Sequence, residues 1–435
     1  MAAPRPGPPL EPVSSRLKAS LIHPNRGGVL NGLSYSPDGQ RIIAGDYPGG
    51  AIQVWDAPTG EQLTRVETGY AKRGSSEYFS LTPDWRTVYV SRGKRQHSRF
   101  EREGKEMIRW EFDGDVRAWD LATGELRETF THTPPRNILT MGLSPDASSF
   151  LTGDEISGDY ELGMGAKWAA TLWDVETHQP RPLPDGLEPY GCFSPDSKTI
   201  AMSFLDDDGY ATAIKLFDVA LAEERLSIPI TGDDSWAYVE AFSPDERLIV
   251  GHLQAFPKRN KWQDWQSTLK VWDAASGQEL ASFPAEGKEC GFTGITFSQD
   301  GRVLAAATWR GEKARLYLFD VESLRLLHAI DLAEKAIVRD PVFSPDGRWL
   351  AAITQVVPDD PRNPDPNPED LPQPRIHLLD VASGEVRETL FAPPGIATCA
   401  CFSPDGQTLA TTGQGKVLLW DLTAPPGALN ALGGN

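Results

Sequence analysis

The chain has 435 residues, 40% of them hydrophobic and 24% charged, which is enough apolar side chain to bury a core and unlike a disordered segment. A formal net charge of −19 repels a phosphate backbone and argues against general nucleic-acid binding. No run reaches the roughly 18 consecutive apolar residues of a membrane span, and the opening MAAPRPGPPLEPVSSRLKAS lacks the apolar centre of a secretory signal.

Residues 1–16 therefore read as a Pro-rich linker or tail, and a cytoplasmic location is expected. Beyond them the chain repeats itself. A Ser/Thr-Pro-Asp triplet starts at Ser36, Thr82, Ser144, Ser194, Ser243, Ser344 and Ser403, with Ser298-Gln299-Asp300 as a variant. Each triplet is followed by an apolar run that ends in an aromatic residue or Leu and then Asp: Trp55-Asp56, Trp119-Asp120, Trp173-Asp174, Phe217-Asp218, Trp272-Asp273, Phe319-Asp320, Leu379-Asp380 and Trp420-Asp421. Eight pairs make eight units.

Within a unit, short apolar runs such as YVEAF, RLIVG and IKLFD are rich in β-branched and aliphatic residues and are bounded by turn residues, so they are predicted as strands. Pro-Asp-Gly supplies a tight turn between the first two, the Gly accepting positive φ. A second turn follows the Trp-Asp pair, as in APTGE and VASGE, and a fourth run comes after it. Four short antiparallel strands per unit is the pattern of a propeller blade. Cys192 and Cys401 occupy one equivalent position in their units and are expected as small core residues, with Cys290 and Cys399 too unevenly placed for a disulfide framework.

On these phrases residues 17–421 resemble the WD-repeat β-propeller family, of the bacterial type with SPDG and WDxxTGE phrases. The resemblance implies an all-β, eight-bladed β-propeller of four-stranded antiparallel blades over residues 17–424, with 425–435 as a tail. It also implies a non-catalytic scaffold binding a protein or peptide; similar bacterial chains form accessory domains of larger signalling proteins, which is the alternative reading. Phe217, Phe319 and Leu379 depart from the family's Trp, and its Gly-His before the first strand is mostly missing, His23 and His132 being remnants. Apolar packing between blades is then expected to replace most of the family's buried Asp-His-Ser-Trp network.

Pro425 and Pro426 cannot donate to a strand ladder, so the eighth blade lacks a fourth strand at its own end of the chain. Residues near Leu17 to His23 are expected to supply it, which removes an open edge.

The gap from triplet Asp to Trp-Asp runs from 16 residues (Asp405 to Asp421) to 36 (Asp84 to Asp120), while the distance onward to the next triplet varies only from 22 to 28. The surplus belongs between the second and third strands, whose connections share one face of the array, and insertions on one face mark a binding surface. Segment 91–109 of blade 2 holds seven Lys/Arg and three Glu, including Arg95 and Arg99; blade 5 carries Arg259, Trp262 and Trp265, and blade 6 Trp309 and Arg310. Trp and Arg are the types most enriched at binding hot spots, so these seven residues are the expected partner site. The long gaps of blades 3, 4 and 7 are acidic, and the Pro/Asp-rich 358–374 reads as a flexible excursion.

Chemistry finds little. There is no G-x-S-x-G elbow, phosphate loop, H-E-x-x-H or Cys-x-x-Cys. Asp206-Asp207-Asp208-Gly209 lacks the alternating ligands of a calcium loop. The D-x-x-T-G of Asp56 to Gly60 resembles quinone-dependent dehydrogenase propellers but without the Trp that follows there. No catalytic residue, cofactor or metal is expected.

Overall fold

A computed structural model describes the chain except residues 1–12, 23–28, 48–49, 69–75, 94, 104, 157, 162–166, 207–208, 231–234, 256–264, 287–289, 310–312, 335, 357–372, 396, 414 and 424–435. Among the described residues there is no helix, and eight four-stranded antiparallel sheets form the blades of an eight-bladed β-propeller. His23 and the excursion 358–372 lie outside the described residues.

The chain divides into two compact units. The first, Met1–Tyr47, Ile52–Leu63 and Ala285–Asn435, holds blades 6, 7 and 8 and most of blade 1. The second, Pro48–Ala51 and Thr64–Pro284, holds blades 2 to 5.

In every blade the same hydrogen-bonded turn joins the first strand to the second, because Ser or Thr and Asp two residues later can serve each other and the backbone at once. In blade 8 the Ser403 hydroxyl donates to Asp405 Oδ1 (2.5 Å) and accepts from Thr408 N (2.9 Å), while the same Asp oxygen accepts from Gln407 N (2.9 Å). Blade 3 repeats this with Ser144, Asp146, Ser148 and Ser149. The Trp-Asp carboxylate closes the second turn likewise, as Asp273 Oδ1 does for Ser276 N and Oγ (2.8 and 2.6 Å). These bonds favour the ionised carboxylate. The Ser or Thr hydroxyl is the main reason Asp38, Asp84, Asp300, Asp346 and Asp405 sit below the usual carboxylate range.

The residue before the second Asp is buried in every blade. Trp55, Trp119, Trp173, Phe217, Trp272, Phe319, Leu379 and Trp420 are all at most 4% exposed. Within the first unit Trp420 packs with Ile353, Ile376 and Leu390 of blade 7, and Leu379 with Leu316 and Leu318 of blade 6. Within the second, Trp173 packs with Phe130 and Tyr89 of blade 2, and Phe217 with Leu151 and Leu172 of blade 3. Phe and Leu fill the place of Trp because the demand there is apolar volume.

Apolar packing is not the whole account. Trp173 Nε1 donates to Thr152 Oγ1 (3.1 Å) and Trp420 Nε1 to Thr411 Oγ1 (2.9 Å). In blade 3 the fully buried Asp154 accepts from Thr171 Oγ1 (2.9 Å) and Arg136 Nη1 (3.3 Å), with His132 Nε2 3.1 Å away. The remnant His132 thus lies beside the buried polar cluster of blade 3, its ring also against Trp173 (4.8 Å).

Leu17–Ile22 is the outer strand of blade 8, paired with the last strand from Leu17↔Trp420 to Ile22↔Lys416, as the prolines at 425 and 426 required. The anchoring begins earlier than Leu17. Arg16, 6% exposed, donates from Nε to Glu388 (2.7 Å) and from Nη1 to Asp421 O (2.8 Å), and Ser14 N bonds Phe391 O (3.1 Å). Cys192 and Cys401 pack at the edges of the interblade cores, and all four cysteines are free thiols.

Candidate functional site

The surplus of blades 2 and 3 folds into strands, where the sequence reading placed loops. Arg95–Arg102 and Lys105–Phe112 form a hairpin in register from Arg95↔Phe112 to Arg102↔Lys105. Gly158–Glu161, from the gap of blade 3, pairs with its second strand from Gly158↔Trp110 to Glu161↔Met107. The result is a three-stranded antiparallel annex on the second unit that belongs to no blade.

A signal for it was present. Ile108-Arg109-Trp110-Glu111-Phe112 alternates apolar and polar, the period of a half-buried strand, but the density of charge around it reads as a solvated loop. Ile108 and Phe112 are buried, Trp110 stacks on Phe112 (6.1 Å, 17°), and His97 lies 5.0 Å from Trp110. The opposite face carries Arg109 over the Phe100 ring (5.2 Å). Arg99, Arg102, Lys105 and Arg109 are all exposed.

Two glycines hold the annex to the blades. A Cβ on Gly93 would lie 2.4 Å from Ile138 O, and one on Gly114 would lie 2.4 Å from Arg136 O and 2.8 Å from Arg92 O. Only a residue without a side chain lets the two legs of the hairpin pass the first strand of blade 3. Between the legs Asp115, 5% exposed, lies 3.2 Å from Arg92 Nη2 and 2.9 Å from Arg117 Nη2. The root is therefore an ion-paired, close-packed joint.

Of the residues expected at a partner site, Arg95 opens the hairpin and Arg99 stands exposed in its first strand. Trp265, just before the third strand of blade 5, is 6% exposed and buries its ring instead of presenting it. Trp309 ends the second strand of blade 6, paired with Gly291. Arg259, Trp262 and Arg310 lie outside the described residues, and the expected grouping of the blade 5 and blade 6 side chains rests on them. Among the described residues no three His, Cys, Asp or Glu side chains come together as a metal site.

The family described as WD domain, G-beta repeat matches residues 384–421. Over 266 residues, 59% of the chain, the sequence is 24% identical to apoptotic protease-activating factor 1 of Rattus norvegicus, and the match spans 17% of that protein's length. Among solved structures the chain is similar to the computationally designed Ika8 protein, with a TM-score of 0.59 at 15% identity over 92% of this chain and 99% of that one, a likeness of fold alone.

Proposed function

We propose that this chain, a WD-repeat β-propeller, is a non-catalytic interaction module that binds a protein or peptide partner on the ends of its blades where the second and third strands connect. The observation that carries the reading is the annex. Its hairpin and borrowed strand take no part in any blade, yet they are rooted by two sterically required glycines and an ion-paired Asp115. Structure of this kind has no use in building the scaffold; it supports a surface held in one shape, which reduces the entropy lost on binding.

The exposed side chains of the annex indicate the partner's character. Arg102, Lys105 and Arg109 share one face of the hairpin, with Arg99 exposed on the other, and make that face basic on a chain of net charge −19, suited to an acidic surface, with Arg as the residue type favoured at hot spots. Similarity to 17% of the length of apoptotic protease-activating factor 1 supports a module that can serve as one region of a larger protein. The alternative, a regulatory propeller of a larger enzyme, uses the same surface.

The test replaces residues 95–112 by a short Gly/Asn turn and, separately, reverses charge with Arg99→Glu and Arg109→Glu. Partners captured by the intact protein should be lost from both variants, with melting temperatures close to the parent's. Retention of the same partners by both would move the site off the annex.

A further inference from the structure

A cleft of about 310 Å³ opens among the first strands of blades 2 to 5, within the second unit. Tyr78, Tyr190 and Tyr238 line it together with Met141, Leu151 and Glu240, and no lining residue is basic. Beside it, immediately before the lining Pro189 and Tyr190, stands Glu188, 8% exposed and with no hydrogen-bond partner among the described residues.

The titratable groups report one field. Burial, then the charge of Glu240, pushes Glu188 up to about 8, so at neutral pH it is largely the neutral acid. Burial and then Glu188 raise Tyr190, and burial followed by Glu188, Tyr190 and Glu240 takes Tyr238 up to about 12. The Cys192 thiol, also on the wall, is pushed to about 12 by burial and then Glu240. From the neighbouring elements, blade 3 adds the uncharged Thr140, Met141, Gly142 and Leu151, and blade 2 adds Tyr78. The second strand of blade 5 adds His252, whose Nδ1 is 3.2 Å from Glu240 Oε1 and whose ring stacks on Tyr238 (4.8 Å, 24°). The Glu240 carboxylate and the tyrosine rings line a space with no Lys or Arg of its own, and the nearly buried carboxyl of Glu188 stands in the chain next to its wall residue Pro189.

We propose that this cleft binds the side-chain ammonium of a lysine presented by a partner, with the Tyr190 and Tyr238 rings as its walls and Glu240 as its counter-ion. A cation is attracted to the face of a tyrosine ring, more so when desolvated. The lysine stem matches Met141, Leu151 and Pro189, because long cationic side chains bury their methylenes and keep the charge beside polar groups. A space of about 310 Å³ lies at the lower end of ligand-site volumes and fits one side chain.

The buried acid makes binding sensitive to pH. A bound cation favours the ionised form of Glu188, so binding releases a proton. Affinity then rises as pH climbs from 6 and levels off above about 8, where Glu188 is already ionised in the free protein.

The experiment titrates the full chain, carrying ¹³C-labelled tyrosine, with the peptide Ac-Gly-Lys-Gly-NH₂ and its neutral isostere containing norleucine. Tyrosine ring signals should shift with the lysine peptide and lose that response, on the order of tenfold in affinity, with norleucine or in Glu240→Gln, as expected of a cation held by ring faces and a carboxylate. Tyr190→Phe keeps the ring and should bind; Tyr190→Ala should not. Glu188→Gln should bind with an affinity that no longer depends on pH between 6 and 8. Equal affinity for the norleucine peptide, or no tyrosine response to millimolar lysine peptide, would overturn the proposal, as would Tyr190→Ala binding like the parent. Circular dichroism melts of each variant separate loss of the site from loss of the fold. Variants in residues 95–112 leave this cleft intact, so the annex and the cleft stand or fall separately.

Discussion

In blades 6, 7, 8 and 1 the residue after the turn aspartate is Gly301, Gly347, Gly406 and Gly39, at φ of 70°, 68°, 69° and 70°; in blades 2 to 5 it is Trp85, Ala147, Ser197 and Glu246, at 57°, 59°, 63° and 64°. The division follows the two compact units. The backbone arrives at the same left-handed conformation with and without the residue type that favours it, which shows that the Ser/Thr-Asp hydrogen bonds impose the turn and glycine only removes its strain. A side chain there costs roughly 1 kcal/mol. In two cases it also gains something. Trp85 is 5% exposed, and the Ser197 hydroxyl accepts from Asp146 N of the preceding blade (3.0 Å). The annex and the tyrosine-lined cleft lie in this same second unit, whose turns lack the glycine.

The largest expected effect has no counterpart in the second unit. Deleting residues 1–22 strips the outer strand of blade 8 together with Arg16 and its bonds to Glu388 and Asp421. The exposed edge of Lys416–Asp421 should cause aggregation or a large fall in melting temperature. A truncated protein that stays monomeric with unchanged melting would show that the first unit does not depend on this clasp.

Next come the interblade plugs, which should make the two units alike. Trp420→Ala in the first and Trp173→Ala in the second each remove a buried ring and a hydrogen bond to Thr411 or Thr152. Each should cost about 3–5 kcal/mol, read from denaturant midpoints. A loss confined to one of them would mean that the units are held together by different means.

Opposite responses to pH should then separate the units. In the first, His377 is held at about 4 by burial and then by Arg375, its nitrogens facing Thr354 and Thr389 (2.9 and 3.1 Å). Its folded value is depressed, so the unfolded chain binds the proton more readily, and stability falls as pH drops from about 6.5 toward 4. In the second, the folded value of Glu188 is raised from 4.5 to about 8, so the stability it allows is fully present below 4.5 and is lost as pH rises toward 8. Glu188→Gln should therefore raise the melting temperature more at pH 8 than at pH 5. His377→Gln should weaken the decline between pH 6.5 and 4.5. The same pH profile in both variants and the parent would remove these groups from the account.

The smallest effects test the turns themselves. Gly347→Ala meets nothing within 4 Å, so only its φ of 68° opposes it, at a cost of about 1 kcal/mol. Glu246→Gly should stabilise by a few tenths of a kcal/mol up to about 1, as strain is relieved against added chain entropy. If both changes are neutral, the hydrogen bonds alone fix the turn and φ carries no strain.

The eight blades, their turns and the strand exchange at blade 8 were legible in the sequence because local chemistry decides them. Ser/Thr-Pro-Asp makes its turn from bonds within six residues, a buried Trp, Phe or Leu recurs at one position, and Pro425 and Pro426 forbid a ladder. Arg95 and Arg99 were legible as a charged excursion, but not as strands. The annex needs Gly158–Glu161 of one blade to pair with Lys105–Phe112 of another, a pairing between segments about fifty residues apart that no local pattern encodes. Trp265 shows the same limit from the other side: its residue type suits an exposed hot spot, and its surroundings bury it. Glu188 carries no motif at all. Its character comes from desolvation and from Glu240, a residue of the next blade, and both exist only once the chain has folded.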